Sequence, residues 1–286
     1  MSTREPAPFG WETWTWDETL FQGTASYYRQ GRDPYAPQLS KTLAAHLGLD
    51  GRGHLLDVGC GPGTVALLLA DQFETVTGLD PDADMIAEAR IAARESAVGN
   101  ASWVLMRAEE LPGSLGGFRV VSFAQSFHWM DRPRVAAATR QMLEPGGAAV
   151  QIDPSDGNPD TTPLDDTHPP VPDAAIDELR IRWLGPNRRA GQGRRDTSPD
   201  GEDRVFQAAG FAPEEIVVVP DGRVIHRTLD QVVARVLSNS WAAPHLFGTR
   251  LPEFELDLRA VLHDASPEGL FSVGLPANRL RIRRPR

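Results

Sequence analysis

The stretch His54–Ala70, HLLDVGCGPGTVALLLA, decides the fold class of this chain. An apolar run ends in a loop with glycines at 59, 61 and 63, and a second apolar run begins directly behind it at Val65. This pattern predicts a strand, a tight glycine turn and a helix. Side chains in the turn would block both the sharp bend and a ligand lying against the backbone. Free N–H groups at the start of the helix would face that ligand.

The residues around the loop distinguish between kinds of nucleotide site. The dinucleotide fingerprint G-x-G-x-x-G would need a glycine at position 64, which is Thr64. A phosphate-binding loop would need a lysine, and the only lysine of the chain is Lys41. A second predicted strand, residues 75–79, ends in Asp80, about 20 residues after the first glycine, where an acid can accept hydrogen bonds from both ribose hydroxyls. Together with the acidic Asp57, this favours a nucleoside ligand.

Asp57, the glycine loop and Asp80 together resemble motif I of the class I S-adenosylmethionine (SAM) methyltransferases. Other segments are similar to the family's strand-3 end, its strand 4 with the active-site loop, and its strand 5. An N-terminal segment resembles the cofactor cover of the small-molecule branch that includes the ubiquinone and trans-aconitate methyltransferases. These segments are MRAEELP (106–112), VVSFAQSFHWMD (120–131), MLEPGGAAVQID (142–153) and the pattern F-x3-A-x2-Y-x3-R-x2-Y over 21–35.

The resemblance implies SAM as cofactor and S-adenosylhomocysteine (SAH) as product. It implies that the glycine loop meets the methionine part of SAM, that Asp57 reaches its ammonium group and that Asp80 holds its ribose. Met85 would contact the adenine face or serve only in helix packing. Tyr28 and Arg32 would close over the cofactor or serve only to pack the N-terminal helix on the core. The predicted cofactor-binding residues are Tyr28, Arg32, Asp57, Gly59, Gly61, Gly63, Asp80, Pro81, Met85, Ala108, Glu109 and Gln125.

His128 is the candidate catalytic residue. It follows predicted strand 4, at the carboxyl end of the sheet where open α/β folds place ligands, and histidine is a general base near neutral pH. The alternative is that His128 only shapes the pocket or holds the SAM carboxylate. His226, Trp241 and His245 could line the substrate side or be structural. No metal site is expected, since the histidines are scattered and the cluster Asp165, Asp166 and His168 suits a solvated loop.

The alternation of strands and helices up to Asp153 predicts an α/β fold with a Rossmann-like, doubly wound, seven-stranded sheet. Residues 214–219 are predicted to form a strand, with RVIHR (223–227) as its extension and RLRIR (279–283) as the last strand. The predicted units are an N-terminal helical cover (1–50), a SAM-binding core (51–154), an insertion (155–203) and C-terminal elements that complete the sheet and the substrate side (204–286).

The insertion changes in composition. It is acidic, rich in proline and poor in apolar residues until a predicted helix at 174–184. It is either a lid over the substrate or a solvated surface loop, partly disordered. The aromatic cluster Trp11, Trp14 and Trp16 either packs in the core or the lid, or forms an apolar entrance for the substrate.

Bulk composition limits the partners. A formal net charge of −10 argues against a nucleic-acid partner, and the single cysteine, Cys60, excludes an internal disulfide and fits a reducing compartment. The N-terminus lacks the features of a signal peptide, and no apolar run is long enough to span a membrane. These features predict a cytoplasmic protein, monomeric or homodimeric. The preference for arginine over lysine suggests a bacterial source with a GC-rich genome.

The predicted function is SAM-dependent methylation of a small molecule, with natural-product tailoring as one setting. The alternative is a SAM-binding protein of the same fold that catalyses a non-methylating reaction such as cyclisation. An NAD-dependent oxidoreductase is disfavoured by Thr64.

Overall fold

Strands and helices alternate along the part of the chain that the computed structural model describes, which is residues 17–155, 167–187, 189–190, 193–194 and 201–286. The strands are β1 (His54–Val58), β2 (Thr75–Asp80), β3 (Ala101–Leu105), β4 (Phe118–Ala124), β5 (Leu143–Pro154), β6 (Arg189–Ala190), β7 (Gly193–Arg194), β8 (Glu215–Val219), β9 (Val224–Thr228), β10 (Leu270–Gly274) and β11 (Asn278–Arg283). The helices are α1 (Ala25–Gly31), α2 (Leu39–Leu47), α3 (Thr64–Leu68), α4 (Ala83–Glu95), α5 (Arg132–Met142), α6 (Asp173–Leu184), α7 (Gly201–Ala208), α8 (Leu229–Leu237) and α9 (Leu251–Ala265).

The main sheet has the strand order β3-β2-β1-β4-β5-β11-β8. Strands β1 to β5 are parallel, whereas β11 runs antiparallel to both β5 and β8. The chain winds outward from β1 in one direction and from β4 in the other, which leaves a crevice at the carboxyl ends of these two strands. The predicted α/β fold with a Rossmann-like, doubly wound, seven-stranded sheet is confirmed.

Helices cover both faces of the main sheet. On one face, Leu43 of α2 belongs to a buried cluster that includes Leu55 of β1. On the other face, Val135 of α5 and Phe206 of α7 belong to a second cluster that includes Leu56. The neighbouring residues Leu55 and Leu56 of β1 are both apolar because successive side chains point to opposite faces, and both faces are buried.

Helix α4 begins at Ala83, three residues after the end of β2 at Asp80. The Asp82 side chain accepts hydrogen bonds from the backbone amides of Asp84 (2.8 Å) and Met85 (3.2 Å). An acid in this position satisfies amides that have no partner within the helix and interacts favourably with the helix dipole. The cap therefore fixes the direction of α4 behind Asp80.

The prediction for residues 223–227 is wrong. Strand β9 does not extend β8, but pairs with β10 in a separate antiparallel sheet, in which Val224 lies opposite Gly274 and Thr228 opposite Leu270. The turn at 220–223 directs the chain away from the main sheet, where β8 already pairs with β11. The short strand β10 has no counterpart among the predicted elements.

A third buried cluster holds the remaining elements together, and we call helices α1, α6, α8 and α9 with the β9–β10 sheet the cap. Phe254, Leu258 and Phe271 lie in this cluster, which is distinct from the two of the main sheet. Helix α1 joins it by a close contact, because a Cβ atom on Gly31 would lie 2.4 Å from the carbonyl carbon of Ala234 in α8. The N-terminal cover is thus attached to C-terminal elements.

Several predictions fall on residues that lie outside the described part of the chain. These are the aromatic cluster Trp11, Trp14 and Trp16, and parts of the 155–203 insertion, including Asp165 and Asp166. Within the insertion, the predicted helix at 174–184 is confirmed as α6. Among the described residues, none of the helices has the length and apolar character needed to cross a membrane.

Candidate functional site

A cavity with two adjoining lobes lies at the carboxyl ends of β1, β2 and β4. The larger lobe has a volume of about 310 Å³ and lies between the glycine loop and the cap. The smaller lobe, about 80 Å³, lies beside Asp80. Both lobes are lined by Tyr28, Gly59, Gly61, Ala124 and Gln125. The crevice predicted by the strand order is therefore present as a continuous site.

The smaller lobe is mainly apolar. The predicted residues Asp80, Pro81, Met85, Ala108 and Glu109 line it. The Glu109 carboxylate is buried and fixed, since its Oε1 accepts a hydrogen bond from the Asp131 amide at 2.9 Å. A narrow apolar slot with two carboxylates at its edge suits a flat heterocycle that carries hydrogen-bond donors.

The three glycines of the loop have different roles. All three have positive φ angles, but only Gly61 faces open space, because a Cβ atom there would have no neighbour within 4 Å. On Gly59 such an atom would lie 2.6 Å from the Ser126 side chain, and on Gly63 it would lie 2.4 Å from the Trp103 ring. Gly61 thus presents backbone to the cavity, whereas the other two allow close packing within the protein.

Asp80 lines the smaller lobe and is hydrogen-bonded to the glycine loop. Its carboxylate accepts hydrogen bonds from the amides of Gly61 (2.9 Å) and Asp82 (3.0 Å). Burial raises the pKa of Asp80 to about 6, despite these two hydrogen bonds. A carboxylate has about four acceptor positions, so Asp80 can still receive hydroxyl donors from a ligand.

Asp57 lies beneath the loop and does not line either lobe of the described cavity. Its side chain is buried, with Oδ1 accepting a hydrogen bond from the Ser122 hydroxyl at 2.7 Å. Its Oδ2 has no hydrogen-bond partner among the described residues. Burial raises the pKa of Asp57 to about 6. A buried carboxylate oxygen without a partner is costly, and a cationic group would stabilise it.

Tyr28 and Arg32 project from α1 and its C-terminal end into the larger lobe. The Arg32 guanidinium lies 4.7 Å from the Tyr28 ring centre and donates a hydrogen bond to the Ser238 carbonyl at 2.7 Å. Its buried Nε has no hydrogen-bond partner in the described part of the chain. Gln125, on the opposite wall, has a φ of +54°, a rare backbone conformation for a residue other than glycine. Such strain is often found at ligand sites.

His128 lies outside the lining of both lobes. It belongs to a short 3-10 turn at Phe127–Trp129, and its ring centre is 4.5 Å from that of Trp129. All seven histidines of the chain fall within the described residues, and none of them lines the cavity. Of the three C-terminal candidates, only Trp241 lines the larger lobe, whereas His226 packs against His168 and His245 contacts the Gln22 carbonyl.

Several lining residues were missed by sequence reasoning. They come from elements distant in sequence, at the start of α6, the end of α8 and the start of β11, and no motif marks them. They are Asp173, Ile176, Arg235, Asn239 and Asn278. Asp173 and Arg235 form an ion pair of 2.9 Å. No group of three or more potential metal-binding side chains occurs among the described residues.

The chain matches one family model, that of a methyltransferase domain, over residues 55–147. We refer to these matched residues, 55–147, as the methyltransferase domain. The match begins in β1 and ends in β5, so it contains the glycine loop, Asp80 and most of the residues that line the smaller lobe. The larger lobe is completed by the cap, which lies outside the matched residues.

Curated proteins named as methyltransferases are similar to part of this chain. An uncharacterised methyltransferase of Schizosaccharomyces pombe is 30% identical over 145 residues, which are 47% of this chain and 50% of that protein. A ubiquinone biosynthesis O-methyltransferase of Cronobacter sakazakii is 37% identical over 95 residues, 32% of this chain and 39% of that protein. The chain spans about half the length of the first curated relatives it matches.

A solved structure is similar in fold to more of this chain than the methyltransferase domain alone. The crystal structure of a candidate methyltransferase from Bacillus halodurans matches over 87% of this chain and 100% of that chain, with a TM-score of 0.50 and 18% sequence identity. This similarity concerns the fold alone.

Proposed function

We propose that this protein is a SAM-dependent methyltransferase with a small-molecule acceptor. The observation that carries the proposal is the buried Asp80 carboxylate, hydrogen-bonded to the Gly61 amide at 2.9 Å within a methyltransferase domain. This pairing places an acceptor for ribose hydroxyls beside backbone that is open to a ligand.

The residues present fit SAM in charge and shape. Asp80 would hold the ribose, and the smaller lobe with Pro81, Ala108 and Glu109 would take the adenine. Asp57, with its unpartnered Oδ2, would attract the ammonium group directly or through water. Arg32, with its unpartnered Nε, would attract the carboxylate. The ammonium and the carboxylate of the cofactor would therefore each meet a side chain of opposite charge.

The larger lobe supports a small-molecule acceptor. Its volume leaves room for the methionine end of the cofactor and a small partner, with Tyr35, Ile176 and Trp241 as apolar walls and Asn239 as a polar group. When bound, SAM supplies an activated methyl group on a sulfonium sulfur. The protein's own task is to hold the acceptor in line with that methyl group and to keep water out.

A base is needed only for an acceptor that must lose a proton. Asp33 and Asp173, which line the larger lobe, are each held in an ion pair with an arginine. His128 stays the proposed base for such an acceptor, although its ring lines neither lobe and would reach the acceptor only through a shift of the 3-10 turn Phe127–Trp129. An acceptor whose nucleophile is already unprotonated at neutral pH would need none.

Calorimetric titration with SAM and with SAH tests the proposal. Binding of both is expected, and folded protein that binds neither would contradict it. Incubation with methyl-labelled SAM and candidate acceptors then separates the proposal from the same-fold alternative. A methyltransferase transfers the labelled methyl group to the acceptor and releases SAH, whereas a cyclase leaves SAM intact.

We further propose that the protein acts in the bacterial cytoplasm, as a monomer or homodimer and without a nucleic-acid partner. The net charge of −10, the single cysteine and the low lysine content support this setting.

A further inference from the structure

One wall of the larger lobe is the segment 30–36, which contains the last two residues of α1 and the irregular chain that follows them. Five consecutive residues of it, 31–35, line the lobe. Only Gln30 and Gly31 are helical. The carbonyl groups at the end of a helix have no partners within the helix and must be satisfied by other groups. The shape of this wall therefore depends on what the rest of the chain supplies.

Arg227 of β9 supplies three hydrogen bonds to this segment. Its Nη1 donates to the Gln30 carbonyl at 2.9 Å, and its Nη2 donates to the Arg32 carbonyl at 2.9 Å and to Asp33 Oδ1 at 2.8 Å. The Arg227 side chain is only 4% exposed. A buried guanidinium at the C-terminal end of a helix interacts favourably with the helix dipole and forms strong, charge-assisted hydrogen bonds.

Two further C-terminal side chains hold the rest of the segment. Arg223 donates to the Tyr35 carbonyl at 2.9 Å, and Asn278 accepts from the Ala36 amide at 2.7 Å. Together with the close contact between Gly31 and Ala234, these bonds attach the wall to the C-terminal part of the chain, both in the cap and at β11 of the main sheet. The backbone that carries Arg32 and Tyr35 into the cavity is thus positioned by residues nearly two hundred places later in the sequence.

We propose that Arg227 is a positioning residue for cofactor binding: it fixes the 30–36 segment so that Tyr28 and Arg32 face the cofactor. The inference rests on the proposed function. The C-terminal part of the chain then serves the donor site as well as the acceptor side, although Arg227 itself does not line the cavity.

The test compares SAH affinity, by calorimetry, in the full-length wild type and in Arg227→Met, Arg227→Lys and Arg259→Met. We expect Arg227→Met to weaken SAH binding about tenfold, because the wall loses a buried charged donor. Lysine provides one cationic donor group, so Arg227→Lys should recover part of the affinity. Arg259, which pairs with Asp230 at the surface of the same cap, is the matched control and should leave the affinity unchanged.

The outcomes are distinguishable. If wild type binds neither SAM nor SAH, the proposed function fails. If wild type binds SAH and folded Arg227→Met binds it equally well, only the positioning role fails, even where the melting temperature falls. If Arg227→Met does not fold, Arg227→Lys takes its place, since it keeps the positive charge but cannot make all three hydrogen bonds of the guanidinium. Weaker SAH binding by folded Arg227→Lys than by wild type supports the proposal, and equal binding overturns it.

Discussion

At Asp80, two backbone amides already bind the carboxylate, and its remaining acceptor positions face the cavity. Replacing Asp80 by alanine should weaken SAM binding by ~1–3 kcal/mol, because charge-assisted hydrogen bonds to the ribose would be lost. Calorimetry measures the change. Asp84→Ala is the matched control, since it removes an exposed carboxylate from the start of α4, the helix that follows Asp80. Equal affinity of Asp80→Ala and wild type would remove Asp80 from the site.

The pKa values of Asp57 and Asp80 give SAM binding a defined pH dependence. Burial raises both from an ordinary 3.8 to about 6, so in the ligand-free protein both carboxyls bind protons more tightly than in the unfolded chain. The free energy of unfolding should therefore fall as pH rises from about 4 to about 6, and change little above that range from this cause. A cationic or hydroxyl donor favours the ionised form, so a bound cofactor should lower both pKa values.

Proton release on binding checks this dependence. Calorimetric titrations at about pH 6, in two buffers that differ in ionisation enthalpy, should give different apparent enthalpies that correspond to release of protons by the protein. Near pH 8 the two buffers should agree. Equal enthalpies at the lower pH, or proton uptake, would show that the two carboxyls do not contact the ligand.

At the scale of single residues, sequence predicted the positions near the loop well. Asp80, Met85, Ala108 and Glu109 line the smaller lobe, and these positions follow from short motifs on consecutive elements. Their roles as cofactor contacts stay predictions. His128 shows the limit, because the direction of a side chain after a strand depends on the turn that follows, and here the 3-10 turn sets its ring beside Trp129.

At the scale of elements, alanine substitutions at two glycines of the loop between β1 and α3 should have different effects, one mainly on stability and the other on SAM binding. Gly63→Ala should lower the free energy of unfolding by roughly 2–4 kcal/mol, because the new methyl group meets the Trp103 ring at a φ of +80°. Gly61→Ala should cost only about 1–2 kcal/mol of backbone strain, but weaken SAM binding, since its methyl group would enter the cavity. Urea unfolding and calorimetry measure the two effects. Equal stability of both variants would contradict this assignment.

The elements of the main sheet could be predicted because each has a local pattern. Strand β1 is apolar on both faces, and α4 begins at an acidic cap. The pairing of β9 could not be predicted, since β9 and β10 are separated by two helices and their partnership arises only when the cap packs. The local pattern of β9 is equally compatible with either sheet.

At the scale of the whole molecule, the cavity lies between the methyltransferase domain and the cap, so a ligand that fills both lobes should hold the two together. SAH at a hundred times its dissociation constant should add about 2.7 kcal/mol of stability and raise the melting temperature by roughly 5 °C. Adenosine, at the same multiple of its own dissociation constant, should give the same shift by mass action but bind far more weakly. Equal dissociation constants for the two ligands would exclude the larger lobe from binding.

The architecture of the whole chain was predictable for the residues up to 154 and much less so beyond them. Fold class follows from the alternation of elements, whereas the cap depends on contacts such as Gly31 with Ala234 and Arg227 with Gln30, which join distant parts of the chain. No local periodicity encodes such contacts.

The place of β11 between β5 and β8 also has a consequence for biosynthesis. As a ribosome extends the chain, each of the strands β2 to β5 can pair with one that has already been made. β8 cannot, because its partner is β11, and so Val219, fully buried in the finished protein, must wait for residues 278–283. Nascent chains that contain β8 but not yet β11 expose an apolar segment that has no partner strand, and we expect chaperones to bind them.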